Sequence, residues 1–360
     1  MVPESSQARG RHDNAASPIV TILLPAHNAE STLNQALDSL VHQTLADWEC
    51  LIINDGSADD TASIANTWAE RDARFKVINT PDHSGIVSAL NLGLTEAKGR
   101  FIARQDADDI SRPERLAKTI HLIESNHHLA AVGCQVAMFP SDQIPSGFTA
   151  YGQWLNSLNT PDEIARDIWI ESPLPHPTVV IRPQALFSCH GYRATSWPED
   201  YDLWLQMHCA GWQFAKVPEI LYDWRHHRDR LTICNERYST EAFLDCKLHH
   251  LAPLLLCREI CIWGAGRDGR RLGRALMAKD HRVAAFIDID PGKIGRTRQG
   301  APVLSPEELP TRYPRQEPAD SSGQIPLILV AVGTKGARDL IRRHLTQIGW
   351  QEPTDYICLH

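Results

Sequence analysis

The stretch RFIARQDADDISRPERL, residues 100–116, ends an apolar segment in Asp106, Asp108 and Asp109. Carboxylates this close raise one another's pKa unless a cation offsets the repulsion. Asp108 follows Asp106 by two residues, so both side chains can converge on one site from an extended or turning backbone. Hard oxygen ligands that leave coordination positions free suit Mg²⁺ or Mn²⁺ bridging the phosphates of a ligand. The competing reading is a turn that opens the next helix, where Asp is a common N-cap. For Asp109, next to SRPERL, that second reading is the simpler. Asp55 in IINDGS ends another apolar segment, and in an open αβ sheet ligands bind at the carboxyl ends of the strands.

The elements that must position these groups alternate along the chain. IVTILL is a continuous apolar run, as expected of a strand covered on both faces. ECLIIND, FKVIN, RFIARQD, LAAVGCQVAMF and HPTVVIR read as further strands. STLNQALDSLVHQ has helical spacing, with Leu33, Leu37, Leu40 and Val41 on one face. SADDTASIANTWAERD opens like a capping box, with Ser57 three residues before Asp60. GIVSALNLGLTEA, RPERLAKTIHLIESN (Pro113 in its first turn) and PEDYDLWLQMHCAG continue the helical series. Residues 140–175 read as loops with short helices, and residues 236–256 as helical. A second αβ series then runs through EICIWGAG, RDGRRLGRALMAKD, VAAFIDID, PLILVAVG and GARDLIRRHLTQIG. This alternation predicts an α/β protein whose mostly parallel sheet carries helices on both faces. The expected order is a disordered tail at 1–17, a domain at 18–232, a helical linker at 233–256 and a smaller αβ domain at 257–360.

A chain of 360 residues is long enough for two such domains. Its 42% hydrophobic and 22% charged residues describe a soluble globular protein. The net charge of −8 argues against a general nucleic-acid or anionic-membrane surface. No apolar run approaches the ~20 residues that span a bilayer, and the first residues lack the apolar region of a secretory signal. Nine irregularly spaced cysteines, with no CxxC pair, argue for a reducing compartment and against a zinc site. The expected location is cytoplasmic, with at most peripheral contact with a membrane.

PAHNAESTLNQAL, NDGSADDT, HSGIVSALNLGL and GRFIARQDADD occur in this order at strand ends, and together they resemble the family 2 glycosyltransferases, which have the GT-A fold. The resemblance covers residues 18–232. It implies that Pro25, Ala26, His27, Asn28 and Glu30 cradle a nucleotide through backbone and acidic side chain. Asp55 matches the aspartate that contacts base or ribose, with Ser57 in the same loop. Asp106 and Asp108 match the DXD pair, the first near ribose or sugar and the second on the metal, and Arg104 matches a residue that accompanies them. Gly85 and Asn91 match a small-residue helix start under the nucleotide. Position 83 departs: the family commonly has Asn there, and this chain has His83. WPEDYDLWLQM matches the family's ED-containing helix, so that Asp200 is the expected general base and Glu199 its substrate-side neighbour. A helix N-terminus favours ionised Asp200, and Asp202 is the weaker candidate for base. In DWRHHRDRLT, Arg225 and His227 match an Arg and a His that close over the diphosphate or metal, with His226 between them; the plainer reading is a solvated basic loop. His176 reads as structural, Trp204 as core, and Trp197 either stacks on a sugar or does not. The implied cofactor is Mn²⁺ or Mg²⁺. The implied partners are a nucleotide-diphosphate sugar, UDP-linked by preference, and a glycan or lipid-linked hydroxyl acceptor in cell-surface glycan synthesis by inversion.

WGAGRDG places Gly264, Gly266 and Gly269 in GxGxxG spacing between an apolar strand and a helix, and Asp288 ends the next strand. The readings are a glycine turn kept for tight strand–helix packing, or nucleotide-sugar binding, both ahead of NAD chemistry. The second domain looks like the small Rossmann-type domains appended to sugar-modifying enzymes. The competing functions are a non-catalytic nucleotide-sugar-binding regulator and, behind it, an NAD-dependent oxidoreductase.

Overall fold

The computed structural model describes residues 17–227, 230–314 and 325–360; nearly all of the expected N-terminal tail lies outside the described residues. Two sheets organise the rest. The first holds β1 (Val20–Ala26), β2 (Trp48–Asp55), β3 (Phe75–Thr80), β4 (Phe101–Arg104), β5 (Ile110–Ser111), β6 (Leu129–Phe139), β7 (Val180–Ile181) and β8 (Gln213–Arg225). Their order is β3-β2-β1-β4-β7-β6-β8-β5. β3, β2, β1 and β4 run parallel, β7 is antiparallel to both β4 and β6, and β8 lies parallel to β6. Successive side chains of a strand point to opposite faces. Ile22 and Leu24 therefore enter the core with the helix Leu33–Val41, while Leu23 enters the opposite core with the helix Ile86–Glu96.

The second sheet holds β9 (Ile260–Trp263), β10 (Val283–Ile287), β11 (Thr297–Arg298), β12 (Ala301–Leu304), β13 (Leu327–Val330) and β14 (Tyr356–Cys358). Its order is β11-β12-β10-β9-β13-β14, and only β11 is antiparallel to its neighbour. The helix Thr240–Leu256 joins the two sheets: Leu248, Leu251 and Leu255 belong to one continuous apolar cluster with Leu23 of the first sheet and Leu329 of the second. The join is also polar. The buried Lys247 ammonium donates to the carbonyls of Ile170 (2.6 Å) and Leu359 (3.0 Å), and Arg342 pairs with Asp167 at 2.7 Å.

Four local expectations need correction. The longest strand, β8, falls where no strand is expected, because Pro218 and a register shift at its pairing with Cys134–Gln135 interrupt its pattern. The helix after NDGS begins at Thr61, and Ser57 does not cap it; its hydroxyl accepts from the Asn28 N–H instead. Pro113 stands before, not within, the helix Arg115–Ser125. Asp109 does not cap that helix either. It leads into β5, buried, and accepts the backbone N–H of Arg225 at 2.7 Å.

Candidate active site

The carboxyl ends of β1 and β2 turn into loops that are stitched to one another. After β1 the chain reverses at Asn28, which holds a φ of 49°, a conformation Asn tolerates better than most side chains. The Asn28 side chain accepts from Ala58 N–H (2.9 Å), Ala29 N–H donates to the Thr61 hydroxyl (2.7 Å), and the Glu30 carboxylate accepts from Asp60 N–H (3.1 Å). Gly56 must be glycine. Its φ is +63°, and a Cβ there would stand 2.4 Å from the His83 nitrogen.

Asp55 organises the third loop. One carboxylate oxygen accepts from the Ser84 N–H (2.9 Å) and hydroxyl (2.7 Å), the other from Gly85 N–H (2.8 Å). Burial works against its charge, but the Ser84 and Gly85 hydrogen bonds outweigh that and hold it below the usual carboxylate range. His83, the position that departs from the family pattern, lies 2.9 Å from Asp55 and stacks on His27 with ring centroids 3.9 Å apart. The Asn28 amide donates to Nε2 of His27, so Nδ1 is the protonated nitrogen that donates to the Asp55 carbonyl (2.7 Å). Asn91 sits mid-helix, away from that helix's start, and clamps both backbone groups of Tyr192 (2.8 and 3.1 Å).

The acidic cluster sits where β4 ends. Ligand oxygens of Asp106, Asp108 and Asp109 lie within 4.8 Å of one another. Asp106 pairs with the buried Arg104 guanidinium (2.6 Å), and Asp108 pairs with His227 Nε2 (2.7 Å). Burial disfavours the Asp108 charge, yet the His227 hydrogen bond and the Arg230 charge outweigh it and lower its pKa. For Asp109 the balance is reversed: burial and its two acidic neighbours outweigh the Arg230 charge and the Arg225 N–H and push its pKa well up, and its Oδ2 is buried without a hydrogen-bond partner. Three hard oxygen donors, one of them orphaned, fit a divalent cation. Arg225 closes over the same turn. Its guanidinium donates to the Asp108 carbonyl (2.6 Å) and the Gln35 side chain (2.5 Å), above the Phe139 ring. β8 is thus the element that brings Arg225 and His227 to the cluster.

Two residues overlooked in the sequence brace this turn from below. The Gln105 amide donates to the carbonyls of Asp106 and Asp109 (both 3.1 Å). Arg115, fully buried, donates to the carbonyls of Arg104 (2.9 Å) and Pro177 (3.1 Å). A buried Arg among carbonyls gives no periodic signal; only the single long cation on an otherwise apolar helix face could have hinted at it.

The helix Glu199–Cys209 supplies the second carboxylate group. Glu199 is buried and accepts from the Tyr238 hydroxyl with both oxygens (3.0 and 2.8 Å), with Arg237 at 3.6 Å. Asp200 contradicts the expectation that the helix N-terminus keeps it ionised. Desolvation, reinforced by the Glu199 charge, pushes its pKa up to about 8. One hydrogen bond from Tyr201 N–H (2.7 Å) does not reverse that. Asp202 is spoken for: it pairs with Arg193 and His250 and is held near 2 despite its burial. His176 donates or accepts at the Tyr192 hydroxyl (2.8 Å) and lies 4.0 Å from Glu199. Burial, with Arg104 nearby, depresses its pKa strongly, so it is neutral. Trp204 is core, and Trp197 packs on His249 at 5.2 Å.

Among the described residues, no helix is long and apolar enough to cross a membrane. Comparison with known proteins bears on the first sheet. The model of Glycosyl transferase family 2 matches residues 21–185. The Bacillus subtilis protein EpsE is 30% identical over 230 residues, covering 63% of this chain and 80% of EpsE. The O-antigen biosynthesis glycosyltransferase WbnJ of Escherichia coli is 25% identical over 248 residues, 67% of this chain and 91% of WbnJ. Among solved structures, residues 1–349 of S. aureus TarS in complex with UDP-GlcNAc superpose with a TM-score of 0.53, at 18% identity and 66% coverage of each chain, a likeness of fold. The second sheet lies beyond the family match. On the shared motifs and on the extent of EpsE that it covers, this chain belongs to glycosyl transferase family 2.

Proposed function

We propose that this glycosyltransferase moves a sugar, with inversion, from a UDP-sugar to a hydroxyl acceptor in cell-surface glycan synthesis, with a divalent cation at the acidic cluster. The observation that carries the reading is the meeting of Asp106, Asp108 and Asp109 with His227 and Arg225 at one strand end. UDP is favoured because TarS, alike in fold, is seen with UDP-GlcNAc; glycan synthesis is favoured because WbnJ is named for O-antigen biosynthesis.

In this reading Asp106, Asp108 and His227 hold Mn²⁺ or Mg²⁺, and the ion offsets the charge of the departing nucleoside diphosphate when bound. The loops after β1, β2 and β3, with Pro25, Ala26, His27, Asn28, Glu30, Asp55, Ser57 and Gly85, receive the nucleoside. Arg104 orients Asp106, and Arg225 closes on the diphosphate side. Asp200 takes the proton of the acceptor hydroxyl as its oxygen attacks the anomeric carbon. A base with pKa near the working pH is well matched to that task; desolvation raises the Asp200 pKa, and the charge of Glu199, fixed by Tyr238, adds to it. Thermal shift with a panel of nucleotide sugars, with and without Mn²⁺, tests the reading. Metal-dependent stabilisation by UDP-sugars is expected; stabilisation by none of the panel would overturn it.

A further inference from the structure

An open cavity of about 950 Å³ lies at the carboxyl ends of the second sheet's strands. β9 is central; the chain runs outward through β10 and β12, then crosses to the other side for β13 and β14. The crevice between β9 and β13 is therefore the point where strand order reverses, the place where open αβ sheets bind ligands. The loops after both strands line the cavity, through Gly264, Gly266 and Arg267 on one side and residues 331–335 on the other.

The glycines of that loop separate packing from ligand approach. Gly264 has a φ of +114°, and a Cβ there would meet the Ala331 carbonyl at 2.7 Å. Gly269 allows strand and helix to touch, since its Cβ would stand 1.7 Å from the Gly264 oxygen. Gly266 has neither reason. Its φ of −82° suits any residue, and a Cβ would find nothing within 4 Å. A glycine that neither backbone conformation nor packing requires, facing an open cavity, leaves room for something to lie against the main chain. The helix Arg267–Met277 starts there with no side chain capping it. Its first N–H groups favour an anion, and Arg267 and Lys335 stand at the same mouth, although Asp268 and Glu307 share it.

The rest of the lining fits the other parts of such a ligand. Trp263, Ile289, Val332, Leu340 and Ile341 form an apolar wall suited to a flat ring. His344, edge-on to Trp263, presents a buried Nε2 with no hydrogen-bond partner. Asp288, just after β10, accepts from Ala265 N–H (2.8 Å) and Lys293 (3.1 Å) at Oδ2 and from Asp290 N–H (3.0 Å) at Oδ1, which leaves a lone pair on Oδ1 for a sugar hydroxyl. We propose that this cavity is a second binding site, separate from the transferase site, for a nucleoside diphosphate ester: the ring against the apolar wall, ribose at Asp288 and diphosphate over Gly266. Dinucleotides and nucleotide sugars share that chemistry.

Calorimetric titration of the full chain in EDTA with ADP, NAD⁺ and UDP-glucose tests it, because EDTA silences metal-dependent binding at the acidic cluster. A single equivalent of at least one of the three is expected to bind, and which one binds tells an adenine ligand from a uracil one. Gly266→Val should fold normally, since its side chain meets open space, and should weaken that binding by about tenfold or more. The same variant should leave Mn²⁺-dependent UDP-glucose binding unchanged. Absence of binding by all three ligands at millimolar concentration, or equal binding by wild type and Gly266→Val, would overturn the site. Loss of the Mn²⁺-dependent phase alone, in wild type, would instead count against the transferase reading.

Discussion

Two groups of carboxylates in this protein are built in opposite ways. Asp106 and Asp108 each have a cationic or imidazole partner, Arg104 and His227, and Asp108 is held ionised. Among the described residues no ion pair includes Asp200, and desolvation with Glu199 pushes it up to about 8. The same residue type thus becomes a standing negative charge in one place and a proton acceptor near neutrality in the other. What differs is the company each keeps, not the strand end or helix end that carries it. Local dipoles are small beside this: a helix N-terminus contributes at most about 2 kcal/mol, less than the desolvation that opposes it at Asp200.

The comparison can be broken from either side. Asp108→Ala removes the charge that a cation needs, and turnover should fall about a thousandfold or more, the several kcal/mol such an ion supplies. Asp200→Asn should lower turnover by about 10²–10⁴-fold, the usual worth of a general base. Steady-state rates at saturating donor check both. His227→Gln should weaken Mn²⁺ affinity by at least the roughly 10–100-fold that loss of an outer-shell partner costs, read from the metal dependence of the rate. Glu199→Gln gives the smallest and most discriminating effect. Asp200 accepts a proton only when ionised, so kcat/KM should rise with pH through an inflection near 8 in the wild type. Removing the Glu199 charge takes away one cause of the upward shift, and the inflection should move to lower pH. An unmoved inflection would mean that Asp200 is not the titrating group.

The sequence made much of this visible, and what it hid has physical reasons. Buried parallel strands such as β1 and β2 read as unbroken apolar runs, and the helices beside them carry clean one-sided spacing. β8 was hidden because Lys216, Pro218, Glu219 and Asp223 break the pattern: Pro218 and Glu219 lie in an exposed, bulged stretch, whereas Lys216 is buried. Spacing also cannot distinguish a cap from a tertiary contact. Ser57 and Asp109 both sit where a helix start seemed near, and each instead holds the backbone N–H of a distant residue, Asn28 and Arg225. Asn91 is similar: its side chain reads Tyr192, about a hundred residues away in sequence. His83 shows the reverse. A departure from the family pattern became intelligible once the structure stacked it on His27 and set it against Asp55.

The division of labour between the two carboxylate groups is most directly tested by measuring Mn²⁺-dependent UDP-sugar affinity for Asp108→Ala and Asp200→Asn side by side. Asp108→Ala should lose that affinity, while Asp200→Asn should keep wild-type affinity and fail only in transfer. If both variants lost donor affinity alike, or neither did, the two groups would not hold the separate roles assigned to them.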